Sequence, residues 1–289
     1  MAPEQVAGVG GVKPRLHRAV PRPANWNSCL GAAPMLEVRG LTKCYTRLPA
    51  VDAITFSVSP GEVTAYLGPN GSGKTTTMKM IVGLLEPTHG NILYNGRDVR
   101  AQFLDFKRRL GYVPEEPYLY PYLSGWDYLH LVGRLRSIPE GVLEEKVDRM
   151  LRLFSMHRHR HALSSSYSRG MRQKILISAA LLHDPEVVIF DEPLSGLDVG
   201  AAQIFRDLLR LLARQGKTIL YSSHLLEVVE RVATRVIILH KGRVVASDSV
   251  ERLRDLTQVP TLEGIFSQLV PQGDSEATAQ QMVEAMKLA

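Results

Sequence analysis

The chain has 289 residues, 45% hydrophobic and 22% charged, with a formal net charge of +6 and two cysteines. That composition can bury a substantial core and excludes a disordered, collagen-like or disulfide-stapled protein. The longest apolar run, residues 175–182, contains Ser178 and falls far short of the ~20 residues that cross a bilayer. Cys29 and Cys44 make no metal-ligand spacing, so a reducing cytosol is the expected compartment.

Residues 1–34 carry Lys13, Arg15, Arg18 and Arg22 against Glu4 and are broken by Gly and Pro. They are expected to form a disordered basic extension. A secretory signal fails for want of an apolar stretch, and Pro and Gly spoil the amphipathic helix of a transit peptide. The rest of the chain carries only +3, so no nucleic-acid partner is expected. Residues 36–38, 54–58 and 63–67 then read as strands, with Pro60-Gly61 as turn punctuation. A helix is expected over 74–85, stopped by Pro87 and Gly90, followed by a strand over 91–94 and the turn signal Asn95-Gly96. Residues 110–113 read as a strand and 126–180 as mostly helical. Two buried strands, 187–190 and 218–222, flank a helix at 201–214, and a hairpin over 236–246 turns at Lys241-Gly242. Short helices are expected at 249–256 and 262–269, and an amphipathic one at 276–288. Strands alternating with helices predict an α/β domain over 35–247 around a mainly parallel sheet. Residues 115–180 are too helix-rich for simple βα repetition and predict an inserted helical subdomain. Residues 248–289 are left as a short helical tail.

The segment Gly68-Pro69-Asn70-Gly71-Ser72-Gly73-Lys74-Thr75 matches G-x-x-x-x-G-K-[ST] between an expected strand and an expected helix, the context this motif requires. Its glycines let backbone N–H groups wrap a phosphate, and the helix opening near Lys74 adds the positive end of its dipole. Lys74 supplies a point charge for the β- and γ-phosphates and Thr75 a hard oxygen for Mg²⁺. Some 117 positions after Lys74, the strand at 187–190 runs into Asp191 and Glu192. Acids appear where a strand buried on both faces emerges. Asp191 is placed to hold Mg²⁺ and Glu192 to polarise an attacking water.

Which phosphate-loop family this is follows from Tyr167-Ser168-Arg169-Gly170-Met171-Arg172-Gln173, which opens an apolar helix 23 positions before Asp191. With it, residues 35–246 resemble the ATP-binding-cassette (ABC) ATPase subunits of transporters. Other landmarks stand in order: Tyr45 at the place of the aromatic that stacks on adenine, 110–115 resembling the Q-loop, Ser195-Gly-Leu-Asp198 matching the D-loop, and His224 matching the switch histidine. The resemblance implies a phosphate-loop NTPase core with an antiparallel β subdomain and an inserted helical subdomain. It implies ATP and Mg²⁺ as cofactors, with Gly68 to Thr75, Thr76 and Tyr45 on the nucleotide and Thr75, Glu115 and Asp191 on the metal. Lys74, Glu192 and His224 would be catalytic. It also implies a head-to-tail dimer in which Ser168 and Gly170 face the γ-phosphate held by the second copy. The integral-membrane permease would be a separate chain, with the ATPase peripheral on the cytoplasmic face of the cell membrane.

Two departures stand out: Glu115 replaces the usual Gln, and Arg169-Gly170-Met171 replaces Gly-Gly-Gln. Glu keeps a hard oxygen for Mg²⁺ while adding a titratable charge. Together with Pro-Glu-Glu-Pro at 114–117, the signature resembles those of exporter cassettes. Two other functions stay open, a soluble cassette ATPase acting on ribosomes or nucleic acid and a nucleotide-binding module without hydrolysis. Five of the ten tyrosines fall between Tyr112 and Tyr128, either as subdomain core or as the family's groove for a short helix of the membrane partner. The three histidines at 157, 159 and 161 share a face only on a strand, so a solvated basic surface is expected rather than a metal site.

Overall fold

The computed structural model describes residues 35–270, 280–283 and 285–286. The expected extension at 1–34 and most of the helix expected at 276–288 lie outside the described residues.

The chain opens with two long antiparallel strands, β1 (Leu36–Cys44) and β2 (Pro49–Val58). Both outrun the strands expected at 36–38 and 54–58. The reason is a change of phase: pairing slips between Val38 and Leu41, so the buried residues run Leu36, Val38, Leu41 instead of keeping strict alternation. An irregularity of this kind continues a strand while hiding its period-2 signal. Then come β3 (Val63–Leu67), the phosphate loop and α1 (Lys74–Ile81). This helix ends before the expected residue 85. Leu84 N donates to Lys79 O at 2.9 Å and Gly83 N to Met80 O at 3.1 Å, the paired bonds of a Schellman stop. Gly83, not Pro87, terminates it. Strands β4 (His89–Tyr94) and β5 (Arg97–Asp98) complete an antiparallel sheet of order β2-β1-β4-β5.

After α2 (Phe103–Arg109) and β6 (Leu110–Val113) come three helices, α3 (Gly125–Leu135), α4 (Glu140–Leu153) and α5 (Arg169–Leu181). Ser124 starts α3 with a reciprocal capping box, its hydroxyl taking Asp127 N and Asp127 returning to Ser124 N. Residues 154–168 are turns and two short 3₁₀ segments, His157–His159 and Ser164–Ser166, rather than α-helix. The remainder alternates as β7 (Val187–Asp191), α6 (Val199–Arg214), β8 (Thr218–Ser222), α7 (Leu226–Val232), β9 (Arg235–His240) and β10 (Arg243–Ser249).

These strands build a second sheet of order β10-β9-β3-β8-β7-β6, parallel except at β10. Its central strands β3, β7 and β8 are buried on both faces. In β7, Val188 and Phe190 join the core under the helices, while Val187 and Ile189 join the core shared with the antiparallel sheet. Helices α8 (Val250–Thr257) and α9 (Leu262–Leu269) follow. The first part of the expected tail is therefore integral to the domain: Leu262 and Ile265 are fully buried in the helix-side core. Glu230 on α7 holds it there, accepting from Arg254 at 2.5 Å and from Leu262 N at 3.3 Å.

Candidate nucleotide site

Parallel strands deliver their C-terminal ends to one edge, where loops can gather around a ligand. β3 runs into the phosphate loop, β6 into Pro114-Glu115, β7 into Asp191-Glu192 and β8 into Ser222 and His224. Sequence positions 68 to 224 thus meet at one edge.

The loop is held from outside as well as by its own turn. Ser72 N donates to Pro69 O at 3.1 Å, and Ser72 O accepts from Gly242 N at 3.0 Å. Gly73 sits at φ 103°, and a Cβ there would meet Ala50 O at 2.7 Å, so no other residue fits. The Lys241-Gly242 turn, legible in the sequence only as a hairpin, therefore supports the loop. Lys74 is buried and turned inward, with Nζ on Gly68 O at 2.8 Å and 4.0 Å from a Glu192 oxygen.

At the end of β7 the carboxylates are pinned by a residue that sequence reasoning missed. Ser222 lies opposite Asp191 in the parallel register and is fully buried. Its hydroxyl donates to Asp191 Oδ1 at 2.6 Å and accepts from Glu192 N at 2.9 Å. Burial pushes the Asp191 carboxyl above the usual range; the Ser222 hydrogen bond and the nearby Thr75 hydroxyl oppose this, and the Glu115 and Glu192 charges add to it. Glu192 takes φ 47°, uncommon for a residue with a side chain. Its Oε2 lies 2.8 Å from His224 Nδ1 and accepts from His224 N at 3.3 Å. Thr75 Oγ1 donates to Glu115 at 3.0 Å. The only hint of Ser222 in the sequence was a hydroxyl two places before His224, and its meaning depends on the pairing of β7 with β8.

The donor set suits the expected ligands. Asp191 Oδ2 and Ser72 Oγ are buried without a protein partner, and buried polar atoms normally have one. Among the described residues no group of three His, Cys, Asp or Glu side chains forms a metal cage. One or two carboxylates beside a hydroxyl and a phosphate-sized loop is instead how Mg²⁺ is usually bound.

Tyr45, Ser168 and Gly170 have other partners. Tyr45 follows β1, 62% exposed, with Lys43 Nζ 5.5 Å from its ring centre. Ser168 caps α5, accepting from Met171 N at 3.2 Å. Gly170 packs so closely on Gly196 O that a Cβ would collide with it. The Arg169 stem also packs on Gly196, and Lys174 pairs with Asp198 at 2.8 Å. The signature helix and the D-loop are thus fastened together within one chain.

The aromatic cluster divides. Tyr118, Tyr120 and Tyr122 are 71%, 56% and 86% exposed, whereas Trp126 and Tyr128 pack on the helical core. The histidine run forms a short 3₁₀ turn at His157–His159 rather than a strand. A carboxylate approaches it: Asp148 Oδ1 lies 3.1 Å from His157 Nε2.

Residues 51–195 match the family model described as ABC transporter. The chain is 35% identical over 243 residues to the ABC transporter ATP-binding protein NatA of Bacillus subtilis, covering 81% of this chain and 99% of NatA. The solved structure of an ATP-binding subunit of an ABC transporter superposes with a TM-score of 0.77 at 34% identity, covering 81% of this chain and 99% of that one. A dimeric ATP-binding cassette in a post-hydrolysis state with ADP and Pi shares the fold, at a TM-score of 0.69 and 22% identity, over 75% of this chain and 99% of its own. The chain belongs to the ABC transporter family, as one of its ATP-binding cassette ATPases.

Proposed function

We propose that the chain hydrolyses Mg²⁺-ATP at a site shared by two copies packed head to tail, and that this work drives a separate integral-membrane permease in the export direction. The observation that carries the reading is the convergence of Lys74, Asp191, Glu192 and His224 at one sheet edge, while the signature segment meets its own D-loop.

In this reading the N–H groups of Gly68, Pro69-flanked Asn70, Gly71, Ser72 and Gly73, with Thr76, wrap the phosphates, and Tyr45 stacks on adenine. Lys74 leaves the loop carbonyls for the terminal phosphates, a charge-assisted contact far stronger than the one it gives up. Thr75, Asp191 and Glu115 hold Mg²⁺, which when bound neutralises charge developing on the phosphates. Glu192, kept in place by His224 and Ser222, accepts the proton of the attacking water. Ser168 and Gly170 of the second copy close over the γ-phosphate with the N-terminus of α5. The dimeric cassette described above supports the two-copy arrangement.

Among the described residues no helix is long and apolar enough to cross a membrane, which suits a subunit held peripherally at the cytoplasmic face by its permease. The exposed Tyr118, Tyr120 and Tyr122 offer that partner amphipathic contact area. Export is supported by Ser168-Arg-Gly-Met and Pro114-Glu-Glu-Pro. Phosphate release from membranes carrying the chain tests the reading: ATP-dependent release that Glu192→Gln abolishes supports it, and release indifferent to that change refutes it.

A further inference from the structure

We propose that Ser222 is a positioning residue for both site carboxylates: its one hydroxyl selects which Asp191 oxygen stays free and holds the turn that aims Glu192. The proposal rests on the site being a Mg²⁺-ATP hydrolase.

A serine hydroxyl has one proton to give and two lone pairs. Here the proton goes to Asp191 Oδ1 at 2.6 Å and a lone pair takes Glu192 N–H at 2.9 Å. Both bonds are inaccessible to water, since Ser222 and Asp191 are fully buried. The first bond occupies Oδ1 and leaves Oδ2 as the oxygen without a protein partner, so Asp191 has one orientation in which to meet a cation beside Thr75. The second bond anchors the amide of a residue at φ 47°, a disfavoured conformation that persists only where its surroundings fix it. That conformation turns the Glu192 carboxylate off the line of β7 to within 4.0 Å of Lys74 and 2.8 Å of His224. Removing the hydroxyl leaves a buried acceptor and a buried donor unmatched at once. Asp191 is then free to rotate, and Glu192 to relax toward the extended backbone of the strand. Outer-shell partners that orient metal-binding carboxylates commonly matter by 10–100-fold.

The test uses the full chain with Ser222→Ala and Ser222→Thr, the second keeping the hydroxyl. ATP binding is measured in EDTA and across a Mg²⁺ titration, alongside steady-state phosphate release and a circular dichroism melt. For Ser222→Ala the expected result is affinity in EDTA within about twofold of wild type. The Mg²⁺ concentration that half-saturates the metal-dependent gain in affinity rises ~10-fold, and kcat falls ~10–100-fold with little change in KM. Ser222→Thr is expected within about threefold of wild type on every readout. Wild-type Mg²⁺ dependence and kcat in Ser222→Ala overturn the proposal. So does a loss of EDTA binding and turnover in proportion to the folded fraction, with Ser222→Thr no better than Ala. If Ser222→Ala does not fold, Ser222→Cys, similar in size but a weak donor, replaces it. An intermediate loss with Ser222→Cys then supports the proposal, and wild-type kcat refutes it. Failure of the hydrolase reading looks different: the unaltered chain releases no phosphate, yet the Mg²⁺ titration of binding still reads Ser222.

Discussion

The proposed reading places the nucleotide chemistry at two helix N-termini, and these are satisfied in opposite ways. At α1, Lys74 is buried and its neighbours Glu192, Asp191, Ser222 and His224 are bonded to one another across the ends of β7 and β8. At α5, Ser168 and Arg169 are exposed, and Arg169, Gly170 and Lys174 meet the chain's own D-loop at Gly196 and Asp198. The first end is a prepared cradle whose parts hold each other in position. The second is a rigid presenting surface, fixed to its own domain through Gly196 and Asp198. In the proposed reading the γ-phosphate takes donors from both ends, so one chain supplies two unlike halves of a site and two copies turned head to tail would make two complete sites.

The comparison breaks most visibly through changes that remove one end's chemistry and spare the other's. Glu192→Gln should slow phosphate release ~10²–10⁴-fold, the usual contribution of a positioned base, while ATP still binds. The ATP-bound dimer should then accumulate and be seen by size-exclusion chromatography. Ser168→Arg should be as severe for turnover, by placing a bulky cation at the seam, yet leave nucleotide binding to the single chain near wild type in a filter or calorimetric assay. Lys74→Ala should do the reverse, weakening binding by ~10²-fold or more because a buried charge contact to phosphate is lost. Equal binding losses in the Ser168 and Lys74 variants would erase the distinction between the two ends.

A finer change loosens the presenting surface. Lys174→Ala removes the ion pair with Asp198, which is 64% exposed on the Asp198 side, so little stability should go with it. Turnover should drop about threefold with the KM for ATP unchanged, within the range of coupling through packed elements. Away from both ends, His183 offers a control on folding alone. Burial foremost, with the charge of Arg136 adding, holds its pKa down to about 4. The unfolded chain takes up that proton near pH 6.5, so stability should be full above pH 6.5 and decline as pH falls from there towards 4. A pKa shift of that size corresponds to ~3 kcal/mol, which solvent screening of this partly exposed ring lowers to ~2 kcal/mol, read as a shift in urea midpoint that His183→Gln should flatten.

What could be read in advance was whatever is contiguous in the chain. The loop at 68–75, the acids at the end of β7, the apolar strands and the signature each write their chemistry into a few consecutive residues. What escaped was written across the sheet. Ser222 matters because β8 lies beside β7 in a register that sets it opposite Asp191, and Gly242 because its turn reaches Ser72. The fastening of Gly170 to Gly196 and of Lys174 to Asp198 joins segments more than twenty residues apart. The true length of β1 was hidden by a slip in pairing that resets its alternation. The end of α1 was different: Gly83 carried the stop signal, and the more conspicuous Pro87 drew the boundary too far.

The central claim, that each complete site takes one end from each of two chains, is tested most directly by cross-linking. Asn70→Cys is placed in one tagged copy and Arg169→Cys in a differently tagged copy, both with Glu192→Gln to hold ATP and with Cys29 and Cys44 changed to Ser. Oxidation with Mg²⁺-ATP should join the two tags in one species on a non-reducing gel, and should not do so without nucleotide. Cross-linking only when both cysteines sit on the same chain, or none between chains with ATP present, would contradict the shared site.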